Sequence, residues 1–289
     1  MDTNSGPIDS ALAPVRRRQH PAQWALVAAL VVLLAMLVNA LFTNPNFAWG
    51  TVAEYLFAPR VLAGIWTTVQ LTFTSMLLGL VLGTVLAVLR LSSNRVLSGV
   101  AWLFVWFFRG TPLLVQLLFW GFAAALFPTL GLGIPFGPEF ITWDTNALIP
   151  FSVAAILGLG LNSAAYLAEI VRAGIISVPY GQSDAAAALG FGRLRTLRHV
   201  VLPQAMRVII PPLGNETISM LKVTSLVLVI GVQDLLGSVT EIYAKNFKQI
   251  PLLIVACVWY LVMTSVLSVG QYYIERKYGR GFNGNDRSR

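Results

Sequence analysis

The run from Val61 to Leu89, VLAGIWTTVQLTFTSMLLGLVLGTVLAVL, carries no charged side chain. It exceeds the roughly 20 residues that a helix rising 1.5 Å per residue needs to cross a hydrocarbon core about 30 Å thick. Five further apolar runs flank it: Trp24 to Phe42, Leu97 to Phe127, Ala147 to Val171, about Leu213 to Val239, and Pro251 to Tyr273. Together they predict an all-α membrane protein, a polytopic helical bundle of about six transmembrane helices. The composition agrees, with 56% hydrophobic and 11% charged residues, where soluble domains hold about 25% charged.

The net charge of +8 raises the question of nucleic acid, and the placement of the basic residues answers it. They lie between apolar runs, on no soluble domain, so no nucleic-acid partner is expected. With the N-terminus placed in the cytoplasm, Arg16 to Arg18, Arg90, Arg95, Arg172, Arg193, Arg195, Arg198, Arg207, Arg276, Lys277, Arg280, Arg287 and Arg289 fall on the cytoplasmic side. Only Arg60, Lys245 and Lys248 fall outside. That asymmetry sets orientation by the positive-inside rule and predicts a multi-pass membrane protein with both termini cytoplasmic.

The domain plan follows from the same runs. Residues 1–20, with Ser5, Pro7 and Pro14 among small polar residues, read as a disordered cytoplasmic tail. Residues 21–60 hold a first membrane helix and an outer loop; its run is too long for a signal-peptide core, and no clear A-x-A site follows it. Residues 61–275 form the main membrane domain, and 276–289 a basic cytoplasmic tail. The loop from Pro128 to Asn146, rich in Gly and Pro, is expected to be irregular and external. Gly79 and Gly83 form a G-x-x-x-G of the kind that lets two helices approach closely.

The single cysteine, Cys257, lies in an apolar run, and neither His20 nor His199 has a second ligand at metal spacing, so no metal site is expected. No G-x-x-x-x-G-K-[ST] phosphate loop occurs in the chain.

The hydrophilic stretch 174–207 is the most patterned part. Pro179 and Gly181 break the preceding helix, Ser183 or Asp184 caps a new one, and Gly190 stops it. A second short amphipathic helix runs from Arg193 to Leu202, with Leu194, Leu197 and Val201 on one face and Pro203 as its stop. Two readings fit this pattern: a rigid knob for another protein to grip, or a basic amphipathic helix lying on anionic lipid.

Asp184-Ala185-Ala186, with Gly190, Val200, Leu202 and Pro203 behind it, resembles the EAA loop of ABC-importer permeases, E-A-A-x3-G-x9-I-x-L-P, with Asp for Glu and Val for Ile. Further blocks, Arg109 to Gln116, Ala165 to Arg172, Val178 to Gln182, Pro212 to Glu216 and Leu221 to Leu226, are similar to the polar amino acid branch that serves histidine, glutamine, glutamate and arginine. Val223 stands where many members of that branch have Asp. The resemblance covers the five spans from Val61 to Tyr273 and leaves the first helix as an addition.

It implies a permease subunit that forms a pathway for a polar amino acid. Its partners would be a pair of cytoplasmic ATPase subunits docked on the loop at Asp184, a second permease subunit, identical or homologous, and an external substrate-binding protein. ATP and Mg would be used by the ATPase, with no cofactor on this chain and no enzymatic activity of its own.

Polar side chains are costly in a membrane, so those on one helical face are expected to look into a wet interior. Arg109, Gln116 and Trp120 align in the third span, Asn162, Tyr166 and Glu169 in the fourth, and Asn215, Ser219 and Lys222 in the fifth; Thr67, Gln70 and Thr74 add a fourth stripe. A substrate carboxylate would ease a buried cation such as Arg109 or Lys222. Equally, Arg109 could pair with Glu216 or another acid, Pro112 could simply kink its helix, and Glu169 could pair locally with Arg172. Other functions remain: a permease for another small solute, or an ion-coupled secondary transporter, although no internal repeat of broken helices is visible. An intramembrane enzyme has no G-x-S-x-G to support it.

Overall fold

A computed structural model describes residues 21–134 and 137–278. The tails read above as disordered or basic lie at 1–20 and mainly at 279–289, outside the described residues.

The chain divides into two units, 1–48 and 49–289. The first carries α1 (Pro21–Thr43), followed by a single 3₁₀ turn at Pro45–Phe47 whose start is capped by Asn44. Apolar residues surround α1 on every side, as in a helix that is enclosed in lipid or protein rather than water.

In the second unit, α2 (Trp49–Leu56) leads into α3 (Pro59–Arg90), the long helix announced by the opening run. Then come α4 (Arg95–Gly110), α5 (Leu113–Gly121), and the short α6 (Ala123–Leu126). A hairpin of β1 (Thr129–Gly133) and β2 (Glu139–Asp144) follows, antiparallel, with Thr129 opposite Asp144 and an irregularity beside Gly133. This corrects the expectation of an irregular loop: Leu130, Leu132, Phe140 and Trp143 supply enough strand-forming side chains to zip a ribbon between the glycines. Asp144 caps α7 (Thr145–Leu148) through the Ala147 N–H at 3.0 Å.

Next, α8 (Phe151–Ile176) packs along α3 at close range. A Cβ on Gly79 would stand 2.8 Å from Ser163 Oγ, one on Gly83 2.9 Å from the Ala164 carbonyl, and one on Gly160 2.6 Å from Leu78. The glycines are therefore the contact itself: each leaves room for an atom of the facing helix, a side chain at Gly79 and Gly160 and a backbone carbonyl at Gly83.

Beyond Pro179 lie α9 (Tyr180–Ala188) and α10 (Arg193–Thr196), then a π turn at Leu197–Val201, then α11 (Leu202–Val223), a 3₁₀ stretch at Thr224–Ile230, α12 (Leu235–Asn246) and α13 (Gln249–Tyr278). Three expectations are corrected here. The helix α9 starts at Tyr180 directly behind Pro179, so Gly181, Ser183 and Asp184 lie inside it and neither Ser183 nor Asp184 caps it. The second amphipathic helix does not stop at Pro203 but runs on, helical from Arg193 to Ile230. The π turn, where the Leu202 N–H reaches back to the Leu197 carbonyl, widens the helix just before Pro203 and so makes room for a ring that would clash with the preceding turn of a regular helix. The fifth span likewise does not extend to Val239: the chain reverses at Gly231, with φ of 83°, and restarts at the N-cap Asp234.

Asp234 is fully buried, accepts from the Gly237 N–H at 2.8 Å and from the Tyr260 hydroxyl at 2.9 Å, and so ties α12 to α13. Burial pushes its carboxyl up, partly offset by those two donors.

Among the described residues five helices are long and apolar enough to cross a membrane, six if α4 and α5 count as one broken span. Their buried side chains form three clusters. One centres on Leu71, Leu117, Leu159, Leu167 and Val227, a second on Val61, Leu235, Val239, Leu252 and Val255, and a third on Ala87, Val171, Ala205 and Ile209.

Candidate functional site

The site begins with a missing hydrogen. In a continuous helix the Phe108 carbonyl would accept from residue 112, but that residue is Pro112, which has no N–H. The helix accordingly ends at Gly110, and α5 leaves at 101° to α4. In a membrane an orphaned carbonyl must find another donor. Two side-chain amides supply it: Asn162 Nδ2 donates to the Phe108 carbonyl at 2.9 Å and Gln116 Nε2 at 3.0 Å. Gln116 Nε2 also reaches the Thr111 carbonyl at 3.1 Å and Thr111 Oγ1 at 2.7 Å, while its own oxygen accepts from Asn162 at 3.2 Å. Both residues, read from sequence as pathway residues, thus sit on the broken backbone.

Above this break the last turn of α4 faces α8 across a cavity of about 430 Å³, inside the roughly 300–1,000 Å³ of small-molecule sites. Its walls are Trp102, Val105, Trp106 and Arg109 from α4, with Tyr166, Glu169 and Arg90 opposite. The guanidinium of Arg109 lies over the Tyr166 ring, 5.1 Å from its centroid, a placement that favours a cation over an aromatic face. Among the described residues no carboxylate lies within ion-pair distance of Arg109, so pairing with Glu216 is not found there.

Glu169 is held by Arg172, which donates from Nη2 at 2.6 Å and Nε at 3.0 Å, as the local pairing anticipated. Its other oxygen stands 3.6 Å from Arg90 Nε, close enough for ionic attraction but too far for a hydrogen bond, and both atoms are buried without a hydrogen-bond partner. One carboxylate therefore pairs with two guanidinium groups, Arg109 stands in the same cavity beyond ion-pair distance of it, and the cavity carries excess positive charge.

Asn215, Ser219 and Lys222 do share one face of α11, and all three are exposed. They are absent from the lining of the cavity and form a separate polar stripe on the chain's surface. Thr67 and Thr74 return their hydroxyls to their own helix, to the Ala63 and Gln70 carbonyls. Arg90 and the tryptophans were missed from the sequence. Trp102, Trp106 and Arg109 lie at i, i+4 and i+7, so a face-by-face reading of the third span could have found the two rings, whereas Arg90 reads only as a loop cation.

The second region is the loop around Asp184. Gly190 has φ of 78°; its N–H bonds the Ala187 carbonyl at 2.9 Å, and the Phe191 N–H bonds the Ala186 carbonyl at 3.0 Å. That pair of bonds is a Schellman ending, which lets a short helix turn back sharply. Asp184 and Ala185 are exposed, Ala186 is buried, and the chain returns past Val200 into Leu202 and Pro203.

A helical membrane protein with a span broken at a polar, cation-bearing cavity and a compact helical knob at the span ends belongs among the membrane subunits that pass solutes. The chain is a member of the family described as binding-protein-dependent transport system inner membrane components, whose model matches residues 79–280. It is a permease subunit of the ABC-importer class, in which a separate subunit hydrolyses ATP.

It is 46% identical to the arginine transport system permease protein of Corynebacterium glutamicum, over 97% of this chain and 89% of that one. To the L-cystine transport system permease protein of Bacillus subtilis it is 38% identical, over 83% and 95%. A solved amino acid ABC transporter with histidines superposes with a TM-score of 0.65 at 35% identity, covering 78% of this chain and 97% of that one.

Proposed function

We propose that this chain lines the membrane pathway for a polar amino acid, a cationic one such as arginine first among them, and that the cavity at the α4–α5 break is where the substrate's carboxylate is met. The observation that carries this is Arg109, set in that cavity on the Tyr166 ring with no carboxylate within ion-pair distance among the described residues, the cavity's one acid, Glu169, being held by Arg172 and Arg90. Every amino acid brings the missing charge, and a guanidinium can hold a carboxylate by two parallel hydrogen bonds. The 46% identity to an arginine permease supports the cationic choice.

The exposed stripe of Asn215, Ser219 and Lys222 supports a pathway that a second permease subunit, identical or homologous, completes, because such a stripe is costly against lipid. Gln116 and Asn162 would then act beneath the pathway by fixing the break, and Glu169 by balancing its cations. An ATPase pair would dock on Asp184, Ala185, Ala186 and Gly190, with Val200, Leu202 and Pro203 carrying the movement into α11. An external binding protein would deliver the substrate at the opposite ends of the spans. The charge asymmetry supports cytoplasmic termini.

The test uses purified complex in vesicles. Arg109→Lys keeps the charge but loses the planar fork, so ATP-dependent uptake should fall about tenfold or more while complex yield stays near that of the wild type. Arg109→Gln should also assemble and be inactive. Loss of assembly in both variants, rescued by Glu216→Gln, would assign Arg109 to the scaffold instead, and uptake driven by an ion gradient without ATP would overturn the importer reading.

A further inference from the structure

A second concavity of the same size lies away from the pathway, where α3 and α8 end and the chain turns into α9 and α10. It measures about 430 Å³, and its walls include Leu91, Ile175, Ile176, Val178 and Val201. We propose that it is a binding site for an anionic membrane phospholipid, with the upper acyl chain between these walls and the phosphate at Arg193.

Three observations carry the assignment, none of which depends on what is transported. The first is depth. Leu91 follows the last residue of α3, and Ile176 is the last residue of α8, so the cavity sits at the span ends, where acyl chains give way to headgroups. The second is the rim. Leu91 and Ile176 are 41% and 49% exposed, and Tyr180, on the wall from α9, is 84% exposed. An apolar mouth with an exposed tyrosine suits the membrane interface, where amphipathic rings collect.

The third is charge. Arg193 lines the cavity, Arg195 stacks on the lining residue Phe191 at 5.3 Å, and no acidic side chain lines it. Among the described residues no carboxylate lies within ion-pair distance of Arg193. Basic pockets between spans with greasy walls suit phosphate headgroups. On α9, Tyr180, Ser183 and Ala187 face the cavity, whereas Asp184 and Ala185 do not line it. One short helix can therefore hold lipid on one side and an ATPase on the other.

The full chain, purified in mild detergent and mixed with equal amounts of phosphatidylglycerol and phosphatidylcholine, is examined by native mass spectrometry. One phosphatidylglycerol should remain per chain. Arg193→Gln should lower the preference for it over phosphatidylcholine by roughly fivefold, the worth of one arginine at an anionic surface. Val178→Trp, which fills the cavity, should expel both lipids. Equal retention of the two lipids by the wild-type chain overturns the proposal without recourse to any variant. So does retention unchanged in both variants, or loss of the bound lipid when the ATPase is added together with a cross-link from Ala187→Cys to that subunit, which would make the occupant a protein.

Discussion

Gly190 does its work through one dihedral angle. A Cβ built there would meet nothing within 4 Å, so space is no obstacle to a larger residue. The obstacle is φ of 78°, which costs a residue bearing a Cβ about 1–2 kcal/mol, and more if it is β-branched. Gly190→Val should therefore relax the ending of α9 and tilt Asp184. Association with the ATPase, measured by co-purification, is expected to fall several-fold while the membrane level holds. Gly190→Asn, a residue that tolerates the left-handed region, should keep most of it. Association unchanged in the valine variant would remove the docking role from this loop. The sequence placed this glycine correctly because helix-stop chemistry is local. It placed Gln116 and Asn162 on the right faces but could not say what they touch: their partner is a carbonyl set free by Pro112, and Asn162 meets it across 54 positions of chain.

Elements were legible where hydropathy alone decides them and less so where backbone geometry does. The opening run became α3 almost end to end. By contrast the apolar stretch at Leu97 to Phe127 conceals a bend of 101°, because a bent span and a straight one have the same hydropathy. The start of α11 was hidden for the opposite reason, since Gln204 and Arg207 make its first turns polar and Pro203 looks like a terminus. Gly231 and Asp234 did carry a stop and a start in plain view, but the apolar residues on either side masked them. At this scale the bend itself is testable. Gln116→Leu leaves the Thr111 carbonyl without its side-chain donor and Phe108 with one donor fewer, at about 1–3 kcal/mol for a buried group left unsatisfied. Thermal unfolding in detergent should show a clear loss for Gln116→Leu and for Asn162→Leu. Because both amides serve the Phe108 carbonyl, the double variant should differ from the sum of the two. Strict additivity would mean that the two amides act independently.

For the molecule as a whole, the family core at 79–280 lies inside the second unit, and the first unit of 1–48 stands outside it. The family model begins at residue 79, well past α1, so a chain beginning at Trp49 should still fold and reach the membrane. In the full chain, a reporter after Gly281 should read cytoplasm and one inserted near Gly133 should read the outside, as the basic residues dictate. Exchanged signals would overturn the orientation. The close seam of α3 and α8 has a practical consequence of another kind. Helices that interlock through Gly79, Gly83 and Gly160, with Ser163, Leu167 and Leu78 seated where a Cβ would stand, cannot slide without collision. Spin labels placed on the outer flanks of these two helices should give one narrow distance distribution in every nucleotide state. The pair would then serve as a ruler fixed within the protein, against which the travel of every other helix can be read.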